Sequence, residues 1–519
     1  MSIPAAMNDA NDPDLSAELA QPHPRGLYVL FGAEMWERFS YYGMRALLVL
    51  YLTKKVGMTD DEAGLVYGTY TGLVYLTPLI GGLLADRYLG QRKAVLIGGM
   101  VMAMGHFAMA FEPLLYLALA LLVIGNGFFK PNISTMVGNL YHKGDARRDS
   151  AYTIFYMGIN TGAFLAPLVC GTLGENVSWH LGFAAAGVGM VFGVLNFVFF
   201  QHLLAGGFPP GRDEQKLSTG DYVQAAAYAV LALALAYSAI EAWPSLRPLY
   251  RPAFLNASLT WLYHGLLAVA GLTLLVTWSS RVRKGASPTA AGQEPFTTAD
   301  WQRIGVIAIV SLFAAVFWSG FEQAGNTLNL FADRSVDRTL PALLQIGGKT
   351  EFPASYYQAA NPLILVMLAP FFTILWRLLD GSKRIRVNSS AKFGFGLILL
   401  GIGYAVMYVA ANRTVDGAKV GPQWLMIVYL AHSMGELCLS PIGLSLVNKL
   451  SPARCASLMM AIWFLTNSVG NYLAGTLNAI LRGLDMNLWL FLTIVPVGSG
   501  LILLAVNPIL KRMAHGHDD

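Results

Sequence analysis

The chain has 519 residues, of which 55% are hydrophobic and 13% charged, with a mean hydropathy of +0.51. Soluble domains carry roughly 25% charged residues, so the charge needed to coat a water-facing surface is missing. A soluble globular enzyme is excluded, and so is disorder, whose signature is low hydrophobicity. The net charge of +5 does not point to nucleic acid, because the basic residues sit in short connectors between apolar runs.

Residues 1–24 are polar (Asn8, Asp9, Asp12, Asp14, Glu18) and read as a solvated tail rather than a signal peptide. A spanning helix needs about 20 mostly apolar residues. Fourteen runs qualify, near 26–53, 63–85, 94–111, 114–137, 150–174, 180–203, 219–243, 258–280, 303–331, 355–379, 391–411, 422–448, 453–480 and 486–510. With the N-terminus inside and strict alternation, the inner side carries 22 Lys and Arg against 10 outside. This bias places both termini in the cytoplasm of a multi-pass protein. The spans divide into six, two and six. A tail (1–24) precedes a six-helix bundle (25–204), a linker with an inserted helix pair (205–299), a second six-helix bundle (300–512) and a short tail (513–519). The middle pair lacks Lys, Arg or Glu up to Glu241 and is flanked by polar stretches rich in Gly and Pro, as an insertion would be.

Cys170, Cys438 and Cys455 have no paired spacing and the nine histidines form no ligand cluster, so neither a disulfide framework nor a zinc site is expected. Seven ionisable residues lie deep inside the spans: Glu34, Glu37, Arg38, Arg45, Lys130, Glu322 and Glu436. Each costs about 2.5–3.5 kcal/mol at the centre of a spanning helix, so such residues line a wet cavity, pair with one another, or mark a substrate or proton path. Glu34, Arg38, Tyr41, Tyr42 and Arg45 share one helical stripe. Two carboxylates competing for one guanidinium can take up a proton and free that guanidinium for another anion; a static structural ion pair is the competing reading. Lys130 precedes Pro131, which should open the backbone, and needs a carboxylate or a ligand unless it snorkels to the interface. Glu436 lies near mid-depth with Ser440 one turn on. His432 shares its face and reads as a hydrogen-bonded core residue. Asn160 and Asn361 are further intramembrane polar points, or interhelical glue. The run from Gly81 to Lys93, with Asp86, Arg87, Arg92 and Lys93, combines close-approach glycines with charges that can latch a cytoplasmic gate.

Gly82-Leu-Leu-Ala-Asp86-Arg87-Tyr-Leu-Gly90-Gln-Arg92-Lys93 resembles the second-to-third-helix loop of the major facilitator superfamily. Glu34-Met-Trp-Glu37-Arg38-Phe-Ser-Tyr41-Tyr42 resembles the ExxERFxYY signature of the proton-dependent oligopeptide transporter family. Phe155-Tyr-Met-Gly158-Ile-Asn160-Thr-Gly162 is similar to that family's fifth-helix motif. Phe317-Trp318, Glu322-Gln323, Asn361-Pro362 and Gly435-Glu436-Leu-Cys-Leu-Ser440-Pro441 are similar to its C-terminal half. The matches run in order from Glu34 to about Trp463, and the inserted pair fits the fourteen-helix bacterial branch.

The resemblance implies an all-α integral membrane protein with two six-helix bundles, importing di- and tripeptides with protons by alternating access. The expected setting is the inner membrane, with the chain acting as a monomer and no cofactor beyond the coupling proton. By matching position, Arg38 and Lys130 would hold the peptide carboxylate; Asn361 and Glu436 the amino terminus; and Asn160 the backbone. Tyr41, Tyr42, Tyr75, Trp318, Ser440 and Trp463 would shape the side-chain pockets. Glu34 and Glu37 would couple the proton to Arg38, with Glu322 also in the coupling and forming an outer gate with Arg45. Animal members carry a histidine on the second helix; this chain has none there, so coupling rests on carboxylates. Two alternatives remain open: transport of nitrate or another small anion, although both first-helix acids are intact, and a peptide-sensing receptor, which would be expected to append a soluble domain. A membrane enzyme lacks a metal cluster or a nucleophile–base pair at recognisable spacing.

Overall fold

The computed structural model describes residues 21–142, 145, 147–208, 217–223, 297–340, 345, 350–380, 387–452 and 455–516. The inserted pair expected at 219–243 and 258–280 lies outside the described residues except for 219–223, as does nearly all of the N-terminal tail. The first half comprises α1 (Arg25–Tyr51), α2 (Asp60–Leu84), α3 (Gln91–Ala108), α4 (Leu115–Asn139), α5 (Arg148–Asn176) and α6 (Trp179–Phe200). The second half comprises α7 (Thr298–Phe321), α8 (Thr327–Ser335), α9 (Ala360–Asp380), α10 (Ser389–Asn412), α11 (Gln423–Leu450), α12 (Ala456–Gly483) and α13 (Leu488–Met513). Nine helical stretches among the described residues are long and apolar enough to cross a membrane. α1 is not among them, since Glu34, Glu37, Arg38 and Arg45 crowd its middle.

Local sequence sets the helix starts. Thr59 with Glu62, and Thr297 with Asp300, form capping boxes that open α2 and α7. Asn388 and Asn487 cap α10 and α13. Two expectations are corrected. The run expected to span 303–331 is broken: α7 ends at Phe321, a 3-10 turn covers Glu322–Gly325, and α8 follows. Gly325 lies so close to the Tyr67 ring that any Cβ there would collide with the hydroxyl, and this approach holds the broken turn against α2. The backbone does not open at Pro131, because α4 runs through it. Proline has no N–H for the Gly127 carbonyl, and α2 meets that oxygen at Gly81, where a Cβ would overlap it.

The packing is repeated. In the first half α1 packs on α5 and α6, α4 on α2 and α3, and α3 on α6. In the second half α7 packs on α12 and α13, α11 on α9 and α10, and α10 on α13. Counting α7 and α8 as one span, each pairing recurs six spans later, which is the signature of two repeated six-helix bundles. The halves meet mainly through α2 on α12 and α5 on α9, two contacts that exchange under the same repeat.

Four ion pairs join the halves among the described residues: Arg45–Glu322, Lys54–Asp333, Arg334–Asp60 and Arg482–Asp61. All four lie at the end where α1 finishes and α2 begins, called here the distal end. Glu175 at the end of α5 accepts the N–H groups of Ala354 (2.9 Å) and Ser355 (3.0 Å) ahead of α9. Between the ion pairs, α2 and α12 touch backbone to backbone. A Cβ on Gly68 would come within 2.7 Å of the Tyr472 carbonyl oxygen and 2.8 Å of the Gly475 Cα. Ser468 Oγ donates to the Gly72 carbonyl at 2.7 Å.

At the opposite end, the bonds of Arg92 and Lys93 run to the start of the linker. Buried Arg92 donates to the carbonyls of Gly206 (2.7 Å), Gln201 (3.1 Å) and Leu204 (2.5 Å). Lys93 pairs with Asp221 at 2.8 Å. The bases following Asp86 thus tie the start of the linker to the first bundle.

Overpacking a tight contact costs about 1–3 kcal/mol, so Gly68→Val is expected to shift closure of the distal end by about tenfold. The measurement is the cross-linking yield of an Asp61→Cys/Arg482→Cys pair, which should fall in the Gly68→Val background. An unchanged yield would show that the seam tolerates a side chain.

Candidate functional site

α1 carries its polar stripe against two helices that approach unusually closely. In α5, Gly162 lies where a Cβ would collide with the Met35 carbonyl and come within 3.0 Å of the Arg38 Cβ, and Gly158 packs on Phe31. These glycines flank Asn160 and bring it beside Arg38. The Arg38 Nε lies 3.0 Å from Glu34 Oε1 and closer still to Glu37 Oε2. All three side chains are almost fully buried. The other Glu37 oxygen accepts from Asn126 Nδ2 of α4 at 2.9 Å. Arg38 Nη2 and Glu34 Oε2 have no hydrogen-bond partner among the described residues, so this triad is short of a full set of bonds and can rearrange.

Arg38 opens onto a cavity of about 300 Å³ between the two halves, at the lower end of the range for small-molecule sites. On the first-half wall stand Arg38, Tyr42, Tyr75, Lys130 and Asn160. The Lys130 Nζ lies 4.2 Å over the Tyr75 ring and forms no ion pair with a described residue. On the second-half wall stand Trp318, Asn361, Glu436, Ser440 and Trp463. Asn361 Nδ2 donates to Glu436 Oε2 (3.0 Å) and to Ser433 Oγ (2.9 Å). At the distal end Arg45 Nη2 meets Glu322 Oε2 at 2.5 Å, while its Nε donates to Tyr67 at 2.8 Å. The cavity is therefore bipolar, with cations on one half, a carboxylate on the other, and a charged pair across its distal end.

Most of the residues expected at the site are brought together here. Glu34 and Glu37 are not in the lining; they stand behind Arg38. Tyr41, expected among the pocket residues, does not line the cavity either: it is buried, with the Arg38 guanidinium 5.4 Å over its ring and the Tyr70 ring 6.5 Å away. The helix turns ~100° between neighbouring residues, so Tyr42 faces the cavity and Tyr41 the bundle. Asp86 and Arg87, expected to gate, are exposed in the turn Ala85–Leu89 and form no ion pair with a described residue. Tyr156, Gln358, Tyr429, His432 and Asn467 also line the cavity, although sequence reasoning does not place them there. Their signal is spacing: Tyr156 is one turn before Asn160, Asn467 one turn after Trp463, and Tyr429 and His432 lie on the Glu436 stripe.

A polar cavity at the seam of two repeated bundles, bolted across its distal end by ion pairs between the halves, defines an alternating-access membrane carrier of the major facilitator fold. The family profile PTR2, described as the POT family, matches residues 92–488. The peptide transporter YePEPT of Yersinia enterocolitica is 36% identical over 95% of both chains. A di-/tripeptide transporter of Lactococcus lactis is 32% identical over 94% of this chain and 96% of its own. Among solved structures, the peptide transporter POT in complex with sulfate is 33% identical, with a TM-score of 0.74, over 96% of this chain and 98% of that one. A POT family transporter in complex with 5-aminolevulinic acid is 29% identical, with the same TM-score of 0.74, over 94% of this chain and 97% of that one. The chain belongs to the POT family.

Removing one member of a buried ion pair costs about 3–5 kcal/mol, because the other is left uncompensated. Arg45→Met should therefore lower the unfolding midpoint in detergent well below that of the Arg45→Met/Glu322→Gln double variant. Equal midpoints would mean that the pair is not coupled.

Proposed function

We propose that the protein is a proton-coupled symporter that imports di- and tripeptides by alternating access. The observation that carries this reading is the bipolar cavity. Lys130, free of an ion pair among the described residues, and Arg38 face Glu436 and Asn361 across a space lined by Tyr42, Tyr75, Trp318 and Trp463. A zwitterion with separated ends matches both walls, and the aromatic surfaces accept varied side chains without fixed charge. A small anion alone would leave Glu436 unmatched. Arg38 and Lys130 take the peptide carboxylate, Glu436 and Asn361 the amino terminus, and Asn160 the peptide backbone, with Ser440 completing the second-half wall.

Proton coupling rests on the position of Glu34 and Glu37 behind Arg38. Protonation of either carboxylate loosens its hold on the guanidinium, which then turns to the substrate carboxylate; deprotonation draws it back. Glu322, held by Arg45, links the same protonation chemistry to the distal gate. The basic-residue bias supports an orientation with the distal end outside and both termini in the cytoplasm, and the likeness to bacterial transporters supports the inner membrane. In this orientation the conformation is closed to the exterior. The whole path lies within one chain, so a monomer suffices, and the chemistry needs no cofactor beyond the proton. The chain divides at 1–24, 25–204, 205–299, 300–512 and 513–519, with α7 starting just before the last bundle's expected boundary.

The test is uptake of labelled dialanine into proteoliposomes with and without an inward proton gradient. Accumulation above equilibrium is expected only with the gradient; folded protein that fails to accumulate it would overturn the reading. Glu37→Gln should retain peptide exchange while losing gradient-driven accumulation. Carboxyl-amidated dialanine should bind at least about tenfold more weakly, since a charge-assisted hydrogen bond is worth about 1.5–3 kcal/mol; equal uptake of both forms would remove Arg38 and Lys130 from the carboxylate end.

A further inference from the structure

The amino end of the cavity contains one group that the proposed function leaves unused. His432 lies on α11 one helical turn before Glu436 and lines the same cavity. It is 2% exposed and its ring centroid is 4.7 Å from that of Tyr404. Its sequence context reads as that of a hydrogen-bonded core residue, yet its Nε2 has no hydrogen-bond partner among the described residues. The Cδ2–Nε2 edge lies against α10, where a Cβ on Gly403 would come within 2.6 Å of Cδ2 and 2.7 Å of Nε2. Nδ1 lies on the side of the ring away from Gly403, in a residue that lines the cavity. A neutral imidazole with its proton on Nε2 presents an acceptor lone pair at Nδ1.

An ammonium group has three donors and no acceptor, and burying it requires an acceptor for each. Glu436 supplies a carboxylate, one of whose oxygens is already engaged by Asn361. Asn361 spends its N–H groups on Ser433 and Glu436 and keeps its Oδ1 as an acceptor. Side chains one turn apart on a helix lie about 5–6 Å from each other, which puts His432 within reach of an ammonium group held by Glu436. We propose that His432 Nδ1 is the third acceptor for the substrate's ammonium group, and so a specificity-determining residue for a free primary amine. This inference rests on the peptide-transport reading above.

The test uses the full-length protein in proteoliposomes, with counterflow exchange of labelled dialanine and three unlabelled competitors: dialanine, its N-methyl derivative and dialanine amide. N-methylation removes one N–H donor. In the wild type it should raise the half-inhibiting concentration by about tenfold, equivalent to ~1.4 kcal/mol. In His432→Phe, which keeps a ring against Tyr404 but offers no acceptor, dialanine should bind about tenfold more weakly. The N-methyl penalty should then fall to about twofold or less, while the penalty for amidation at the other end stays unchanged. His432→Asn, which restores an acceptor, should recover several-fold of the N-methyl penalty, and it carries the comparison if the Phe variant fails to fold. A merely structural role would weaken all competitors alike. An N-methyl penalty equal in wild type and variants, or an amide penalty that collapses with it, overturns the inference. Absence of dialanine exchange in the wild type overturns the transport reading as well, whereas exchange with unaltered penalties removes only His432.

Discussion

The structure depends on the cost of keeping charges away from water inside a membrane-spanning bundle. A buried ion is tolerated only when a partner is in place, and here the partners come from different elements. Arg45 of α1 is answered by Glu322 across the interface of the halves at 2.5 Å. Arg38 is answered by its own helix, through Glu34 and Glu37, with Asn126 of α4 steadying the second carboxylate. Glu436 is answered by Asn361 from α9. The first of these pairs exists only while the distal end is closed. The other two leave ligating capacity toward the cavity, so satisfaction of charge and change of conformation are one problem.

Much of this is legible in the sequence, because charges in an apolar run stand out against their surroundings. The α1 stripe, Lys130, Glu322 and Glu436 are identifiable from helical spacing and depth alone, and the six-helix halves from the order of the apolar runs. Facing is harder to read. Tyr41 and Tyr42 are adjacent and chemically identical, and only the packing of α5 on α1 through Gly158 and Gly162 decides which of them meets the cavity. Breaks are hidden too: the turn at Glu322–Gly325 depends on how closely Gly325 nestles against Tyr67, a tertiary contact with no local signature. The bonds of Arg92 and Lys93 to linker carbonyls and Asp221 are not legible either, because those groups lie far along the chain.

The repeated packing gives these local facts a common geometry. Because α2 on α12 and α5 on α9 exchange under the repeat, the halves can rock about the cavity while each bundle keeps its internal contacts. Among the described residues, the polar groups at the seam are then the ones placed to change partners. The linker start moves with the first bundle, since Arg92 and Lys93 hold it there.

The backbone contact between α2 and α12 has an energetic consequence of its own. At Gly68 and Gly475 the two helices touch without interposed side chains, so parting them at that point frees no rotamers and uncovers little greasy surface. Ordering a long side chain costs up to about 2 kcal/mol, and a seam built of leucines would also forfeit the burial of each one whenever it opened. A glycine seam keeps the open and shut forms close in free energy, which leaves the small increments supplied by a proton and a peptide able to decide between them.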